Sequence, residues 1–539
     1  MKAKILSLIL ASVLALSLCA CGNTDEKSSA GSSSVEQEKS SEEVKNSESQ
    51  SSSEENNEEE REHVELTAYL WAVLGNQTGL DETIEAVNAY LEEKLNTTLD
   101  LHIIDDTEYD QVVGTMLNSG TPIDILFTGG SRINFPIYGP KKVFAPIEDY
   151  VDEYLADVKE LVPESSWDTY TIDGHLYAVP LVRDFGQRYT FMLNKTMAED
   201  LNVTFPEGYT TFHEVYDFLF EVKEARDAKY PEKAKQPIIN IKPDLGQWAF
   251  METHTGSNLV VSNIPGLEGF EGYGNGETAF SPYFTEDFME YALTCRQLVE
   301  KGVVPIDPNT FDQDRVLLNA GELIGKRSFG DVYYDGTKYL PVYEEEFYPS
   351  SVAWLTTSGL QSGGMAVGAT SKNVERSLEV INLINTDPYL ATVIRFGPEG
   401  IGWTDEDNNN VIEVGELNSD SKNRLWFHWY GWWLGGLGVS KIAPSYPENF
   451  GELLVDLNNN AIAGANVGFV FDSTPVVNEL SACSNVVAEY NDIIRYGQNA
   501  NVEKIVNEFR DKLKANGIEK IVNEVQSQLD TWRAANISK

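Results

Sequence analysis

The sequence predicts an α/β fold with a largely parallel sheet and a helical C-terminus. Three observations predict it. Between Val64 and Phe127, short apolar runs alternate with amphipathic helical periods, the pattern of a βαβαβ unit. Between Ile505 and Trp532, apolar residues recur only at helical spacing. The 539 residues are 42% apolar and 11% aromatic, enough to bury the core of more than one lobe.

Before the fold comes a different kind of sequence. Lys2 and Lys4 precede an uncharged run from Ile5 to Leu18. That run is too short for a spanning helix of about 20 residues and suits the apolar stretch of a signal peptide. It ends Leu18, Cys19, Ala20, Cys21, Gly22, which resembles the bacterial lipobox. On this reading residues 1–20 are a signal peptide, and Cys21 carries acyl chains that anchor the protein to the outer face of a bacterial membrane. The alternative is an ordinary secretory cleavage site with Cys21 incidental. Residues 21–63 are Ser, Glu, Asn and Lys with almost nothing apolar. Such a tract cannot bury enough surface to order itself, and it reads as a flexible acidic tether.

The formal charge is −45. Asp25 to Glu62 hold 13 acidic and 4 basic residues, so most of the negative charge lies in the folded body. That balance repels phosphate backbones and anionic headgroups and excludes nucleic acid as a partner. Cys19 leaves with the signal and Cys21 takes lipid, which leaves Cys295 and Cys483. They read as buried and unpaired, with a single disulfide as the alternative.

The fold starts with a strand from Val64 to Val73. Thr78 to Asp81 reads as a capping box opening a helix whose face carries Ile84, Val87 and Leu91. Thr98 to Ile104 is the second strand, Glu108 to Leu117 the second helix, and Ile123 to Phe127 a short buried strand. In such lobes ligands sit at the carboxyl ends of strands. That marks Trp71 to Asn76 and Thr128 to Arg132, Gly129 among them. At the far end Ile505, Val506, Phe509 and Leu513 form one helical face. Gly517 stops that helix. Ile518, Ile521, Val522, Val525, Leu529 and Trp532 form the next.

One loop has metal-ligand spacing. Asp405, Asp407, Asn409, Val411, Glu413 and Glu416 occupy positions 1, 3, 5, 7, 9 and 12 of an EF-hand calcium loop, with Asn410 at the usual glycine. Flanking helices are lacking, and the same residues read as an acidic hairpin with an Asn-rich turn. No cofactor is required; the ion in question is a structural calcium. The chain has six His, no HExxH, no G-x-S-x-G elbow and no Walker A loop, so it is read as a non-enzyme. With 85 acidic residues, a carboxylate-pair glycosidase stays open as the rival class. A surface adhesin or sensor lipoprotein is the third.

Several segments together resemble extracellular solute-binding proteins of the sugar-binding type, the receptor subunits of ABC importers. Val143 to Asp149 resembles that family's "plddy" element. Asp173 to Pro180 resembles its "dGklYgvP" hairpin, and Thr190 to Lys195 its "lyYNk" strand. Thr211 to Asp217 resembles its "TwdEf" helix start, and Gly364 to Lys372 its strand returning to the first lobe. Asn507 to Gly517 and Gln526 to Trp532 resemble the end of a large Gram-positive lipoprotein branch that carries a C-terminal domain of unknown function. One departure is Phe191, Met192 and Leu193 before Asn194, where the family often has an aromatic pair.

The resemblance implies a two-lobed periplasmic-binding-protein-like fold of type II. Residues 64–185 with 365–397 form lobe 1, residues 186–364 form lobe 2, and residues 398–539 pack on lobe 2. Hinge strands cross near 182–188, near 361–368 and again after about 397. It further implies a monomer that closes on a solute and docks on a membrane permease. An oligosaccharide is the first expectation for that solute, with peptides and other polar solutes open. Sugars stack their CH faces on aromatic rings and bond planar polar groups. Trp71, Asn76, Gly129, Trp248, Trp354, Trp429 and Trp433 are therefore candidate contacts, the last two from the aromatic run 426–433. Arg183, Asp184, Arg188 and Asp472 join them at the expected crossings.

Overall fold

The structure, a computed structural model, describes residues 61–72, 79–130, 132–186, 189–206, 212–239, 252–255, 258–262, 276–305, 321–329, 345–349, 353–418, 434–444 and 446–537. All of them lie in the compact unit Glu60–Lys539. Cys21, Asn76, Arg188, Trp248, Trp429 and Trp433 lie outside the described residues.

The strand Val64–Ala72 alternates Leu66, Ala68 and Leu70 into the core. It pairs in parallel with Thr97–Asp105 over nine residues, Val64 opposite Thr97 through Ala72 opposite Asp105. On its other side lies Ile125–Thr128, also parallel and buried throughout, as a central strand covered on both faces must be. Gly364–Ala366 then returns antiparallel, between Ile125–Thr128 and Val179–Pro180. The five strands therefore order as second, first, third, returning and 179–180. Helices Leu80–Leu95, Tyr109–Ser119, Val374–Thr386 and Pro388–Phe396 cover this sheet.

The first helix starts one residue later than a capping box at Thr78 predicts. Gly79 is its N-cap, at φ 81° and with no side-chain cap. The left-handed φ favours glycine, and a Cβ there would also have to displace the tip of the Leu417 side chain, 2.4 Å away. The helix buries Thr83, Val87, Leu91 and Leu95, and the Thr83 hydroxyl donates to the Gly79 carbonyl at 2.7 Å.

In the second lobe Tyr189–Asn194 runs between Gly325–Phe329 and Glu345–Pro349, antiparallel to both. Phe191 stacks on Phe205 (centroids 4.6 Å apart), and Phe218 meets both edge-on. A second core in this half joins the helix Glu286–Glu300 to three C-terminal helices, Val477–Arg495, Val502–Ala515 and Ile518–Asn536. The expected stripes pack into it through Val506, Phe509, Leu513, Ile518, Ile521, Val525 and Leu529. Gly517, at φ 93°, makes the turn between the last two helices. Cys295 and Cys483 are buried in the same core and are not joined by a disulfide. Ala353, Phe396, Trp403, Leu437, Tyr446 and Phe450 belong to a smaller core.

Candidate functional site

Three segments pass between the lobes. The first joins Val179–Pro180 of the five-stranded sheet to Tyr189–Asn194 of the three-stranded one. Two buried asparagines grip it. Asn385 Oδ1 accepts from Val182 N at 2.8 Å. Asn458 Oδ1 accepts from Phe185 N and Gly186 N at 2.7 and 3.0 Å, and its Nδ2 donates to Arg183 O at 2.9 Å. Main-chain groups that leave a sheet lose their ladder partners, and these two amides replace them. The second crossing joins Glu345–Pro349 to Gly364–Ala366, and within it Trp354–Leu355 pairs in parallel with Ile462–Ala463 of the third. The third continues to Phe469 and the C-terminal core.

The carboxyl ends of the lobe 1 strands meet these crossings. Trp71 is 8% exposed and meets Phe127 edge-on, centroids 5.7 Å apart. The Arg132 guanidinium stands 5.0 Å over the Trp71 ring, and its Nη2 donates to Asp106 at 2.8 Å. Asp106 N donates to Ala72 O at 3.0 Å, which ties the pair to the end of the first strand. The Tyr109 hydroxyl lies 2.9 and 3.0 Å from the carbonyls of Tyr69 and Phe127, which share its one proton, and accepts from Phe127 N at 3.0 Å, so it stitches the two strand ends together. A cation over an indole is worth about 0.5–2 kcal/mol and holds both groups in place.

Gly129 lies where the second crossing comes closest. A Cβ on it would stand 3.0 Å from the carbonyl oxygens of both Gln361 and Ser362, and Gly130 N donates to Gln361 O at 2.7 Å. The Gln361 side chain continues to Thr169 O at 2.6 Å. Tyr170 follows, its hydroxyl 2.9 Å from where a Gly364 Cβ would be. Burial pushes the Tyr170 phenol far up, and the charge of Arg183 opposes that rise. Arg183 pairs with Asp184 at 3.2 Å on the first crossing. Gly129 N donates to Arg132 O at 3.1 Å, so Trp71, Arg132 and Gly129 form one run of contacts, while Arg183 and Asp184 form a separate pair on the first crossing. Trp354 is buried on the second crossing. Among the described residues, the Trp354 indole N–H and the Ser362 and Tyr170 hydroxyls have no hydrogen-bond partner.

Asp472 stands apart. It is exposed at the entry to the C-terminal helices, where its carboxylate accepts from Thr474 N at 2.9 Å and is held below the usual carboxylate range by Thr474. Sequence reasoning covered Arg132 only as part of a strand-end stretch. It missed Asp106, Tyr170, Asn385 and Asn458. The composition around Asn458 carries no signal, because its role comes from a chain segment 272 residues away.

Residues 405–412 form the turn of a hairpin, Trp403–Thr404 against Glu413–Val414, and Glu416 follows it. Asn409 N and Asn410 N donate to the Asp405 carboxylate at 3.0 and 3.3 Å. Asn408 and Asn410 are left-handed, at φ 55° and 70°. The Lys441 ammonium bonds Asp405 and is the first cause of its lowered pKa. Among the described residues, no three His, Cys, Asp or Glu side chains are grouped so as to hold a metal ion.

Residues 465–534 match a family described as a domain of unknown function, DUF3502. The chain is 24% identical over 459 residues to a carbohydrate ABC transporter substrate-binding protein of Streptococcus pneumoniae, covering 84% of this chain and 88% of the relative. It is 23% identical over 327 residues, 55% of each chain, to the fructooligosaccharide ABC transporter substrate-binding protein FusA of the same organism. Among solved structures, the N-glycan transport solute binding protein NgtS of Streptococcus pneumoniae superposes with a TM-score of 0.69 at 22% identity, covering 87% of this chain and 99% of that one. The fold is that of a two-lobed solute-binding protein.

Proposed function

We propose that this chain is the solute-capturing receptor of an ABC importer and that its solute is an oligosaccharide. The near full-length match to a carbohydrate ABC transporter substrate-binding protein carries the reading. The relatives are substrate-binding proteins rather than enzymes. The crossings support it chemically. Buried donors without partners each cost about 1–3 kcal/mol, and Trp354, Ser362 and Tyr170 place three of them on or against one crossing. Sugar hydroxyls would satisfy such donors while ring faces stack on indoles such as Trp71. A solute that touches both lobes only when they are closed stabilises the closed form, and that form engages the permease.

The test is calorimetry and thermal shift of the purified protein against a panel of oligosaccharides. At least one glycan is expected to raise the melting temperature and be recovered intact. Hydrolysis of the bound glycan, or no response to any member of the panel, overturns the reading.

Two finer points belong to the same proposal. Cys21 carries the lipid that keeps the receptor, as a monomer, on the outer face of the membrane; among the described residues no helix is long and apolar enough to cross one. Calcium is a further ligand of the loop 405–416. The support is the ligand spacing, the left-handed Asn410 at the position where such loops place glycine, and the amides that Asp405 collects.

A further inference from the structure

The segment 465–534 matches a family without an assigned function, and the structure gives it work at the third crossing. Asn466 is fully buried there. Its Nδ2 donates to Ser262 Oγ and to Gly276 O, both at 2.7 Å. Its Oδ1 accepts from Arg533 Nη1 at 2.7 Å. A carbonyl on one side and a guanidinium on the other fix which end of the amide is which. The Asn466 carbonyl accepts from the hydroxyl of Thr357 at 3.3 Å, and that hydroxyl accepts from Gly468 N at 3.1 Å. Thr357 belongs to the second crossing. One residue therefore joins lobe 2 at Ser262 and Gly276, the second crossing at Thr357, and the C-terminal helix at Arg533.

The helix Ile518–Asn536 holds this region with more than Arg533. Gln526 Oε1 accepts from Ala279 N at 2.7 Å, and its Nε2 donates to Glu277 O at 2.8 Å. Gln528 bonds both the N and the O of Asp472, each at 2.9 Å. Trp532 packs on Phe469, with centroids 5.9 Å apart. Arg533 also reaches Gly276 O at 3.3 Å and Glu277 at 3.7 Å. Gly276 is left-handed at φ 75°, and a Cβ there would stand 2.5 Å from Ala465, so lobe 2 and the crossing are in backbone-close contact at this point. These side chains bond main chain on lobe 2 and on the segment leaving the crossing.

We propose that the C-terminal segment is the brace of the interlobe hinge, with Arg533 the positioning residue that holds Asn466 and, through it, the second and third crossings in one arrangement. A charge-assisted bond to a buried amide resists rotation of that amide more than a neutral bond does. Loss of the guanidinium takes the charged donor from Asn466 Oδ1 and so loosens the second and third crossings together. The inference rests on the two-lobed fold and not on the identity of the solute, so a failed glycan screen leaves it standing.

The experiment is hydrogen–deuterium exchange on the ligand-free full chain, wild type against Arg533→Met and Arg533→Lys. In Arg533→Met the amides of residues 355–362 and 462–469 are expected to exchange at least about tenfold faster, the scale of one charge-assisted bond. The lobe 1 strand Val64–Ala72 should keep its rate and serves as the internal reference. Lysine keeps the charge but not the planar fork of donors, so Arg533→Lys should show the same pattern at smaller amplitude and keeps the test open if the methionine variant does not fold. Faster exchange confined to residues 518–536 overturns the proposal, because Asn466 would then be held without Arg533. A rise spread evenly over both lobes overturns it too, because Arg533 would then be an ordinary contributor to global stability.

Discussion

At the scale of single residues, burial decides more than identity, and His254 shows it. Its ring lies edge-on to Phe469 at 5.0 Å, and its Nε2 contacts Ser262 Oγ at 2.6 Å. Burial pulls its pKa from 6.5 down to about 4. Between those values the unfolded chain binds a proton that the folded chain refuses, so stability rises with pH across this window. The contribution is whole above about pH 6.5 and is lost progressively as pH falls toward 4, by about 2–3 kcal/mol for a shift of this size. Many carboxylates titrate in the same range, so the measurement is a difference. Urea unfolding of wild type and His254→Gln is compared from pH 7 to pH 4.5. The gap between the two should shift by about 2–3 kcal/mol in favour of the variant as pH falls; parallel curves would show that the imidazole titrates alike in both states. Nothing in the sequence marks His254, because the ring that covers it, Phe469, arrives from a segment some 200 residues on.

At the scale of elements, periodicity was legible and crossing contacts were not. The strands at Val64, Thr97 and Ile125 and the final helices lie within a few residues of where apolar spacing puts them, since each needs only its own sequence to define a buried face. Asn385, Asn458 and Gln361 are different. Each is a polar residue whose purpose is a main-chain group on a distant segment, and local pattern cannot express that. The loop 405–416 lies between these cases. Its spacing is that of a calcium loop, and its turn has the left-handed residues such a loop uses, yet the Lys441 ammonium bonds the first carboxylate. Calcium must therefore compete with a lysine, and a millimolar rather than micromolar affinity is expected, as in weaker extracellular modules at about 0.1–1 mM. Differential scanning fluorimetry with 5–10 mM calcium, about tenfold above that range, should raise the melting temperature of wild type. Asp405→Ala should abolish the rise, and Lys441→Met should enlarge it. An unchanged melting temperature in wild type and Lys441→Met alike would leave a hairpin that closes on its own lysine and needs no ion.

At the scale of the whole molecule, the order of weak motifs conveyed what no single motif did. The two-lobed fold was legible because the strands that return to lobe 1 and open lobe 2 occur in sequence order. The contacts among the crossings were not, because each joins residues far apart in the chain. The lipid anchor proposed at Cys21 belongs to this scale as well. Arg61 bonds Glu379, and Arg376 Nη1 donates to the carbonyls of Glu62, Leu95 and Asn96 at 3.3, 2.8 and 3.3 Å. The chain thus enters the fold at the amino end of the first strand, while Trp71 and Gly129 lie at the carboxyl ends. Nine residues of strand separate the two, about 30 Å at 3.3 Å per residue. A receptor that engages its permease near the cleft and is held by Cys21 needs slack at least that long. A flexible coil of about 40 residues, as the sequence leads one to expect before the fold, would span about 35 Å on average. Two variants separate anchoring from binding. Cys21→Ser should release a folded protein into the medium, cut uptake of the solute by the cell and leave its affinity unchanged. Deletion of residues 25–56 should keep the protein on the membrane with the same affinity and still cut uptake, because the cleft no longer reaches the permease. Uptake at the wild-type rate in the shortened form would show that docking needs no such reach; retention of Cys21→Ser on the membrane would remove the lipid from the account.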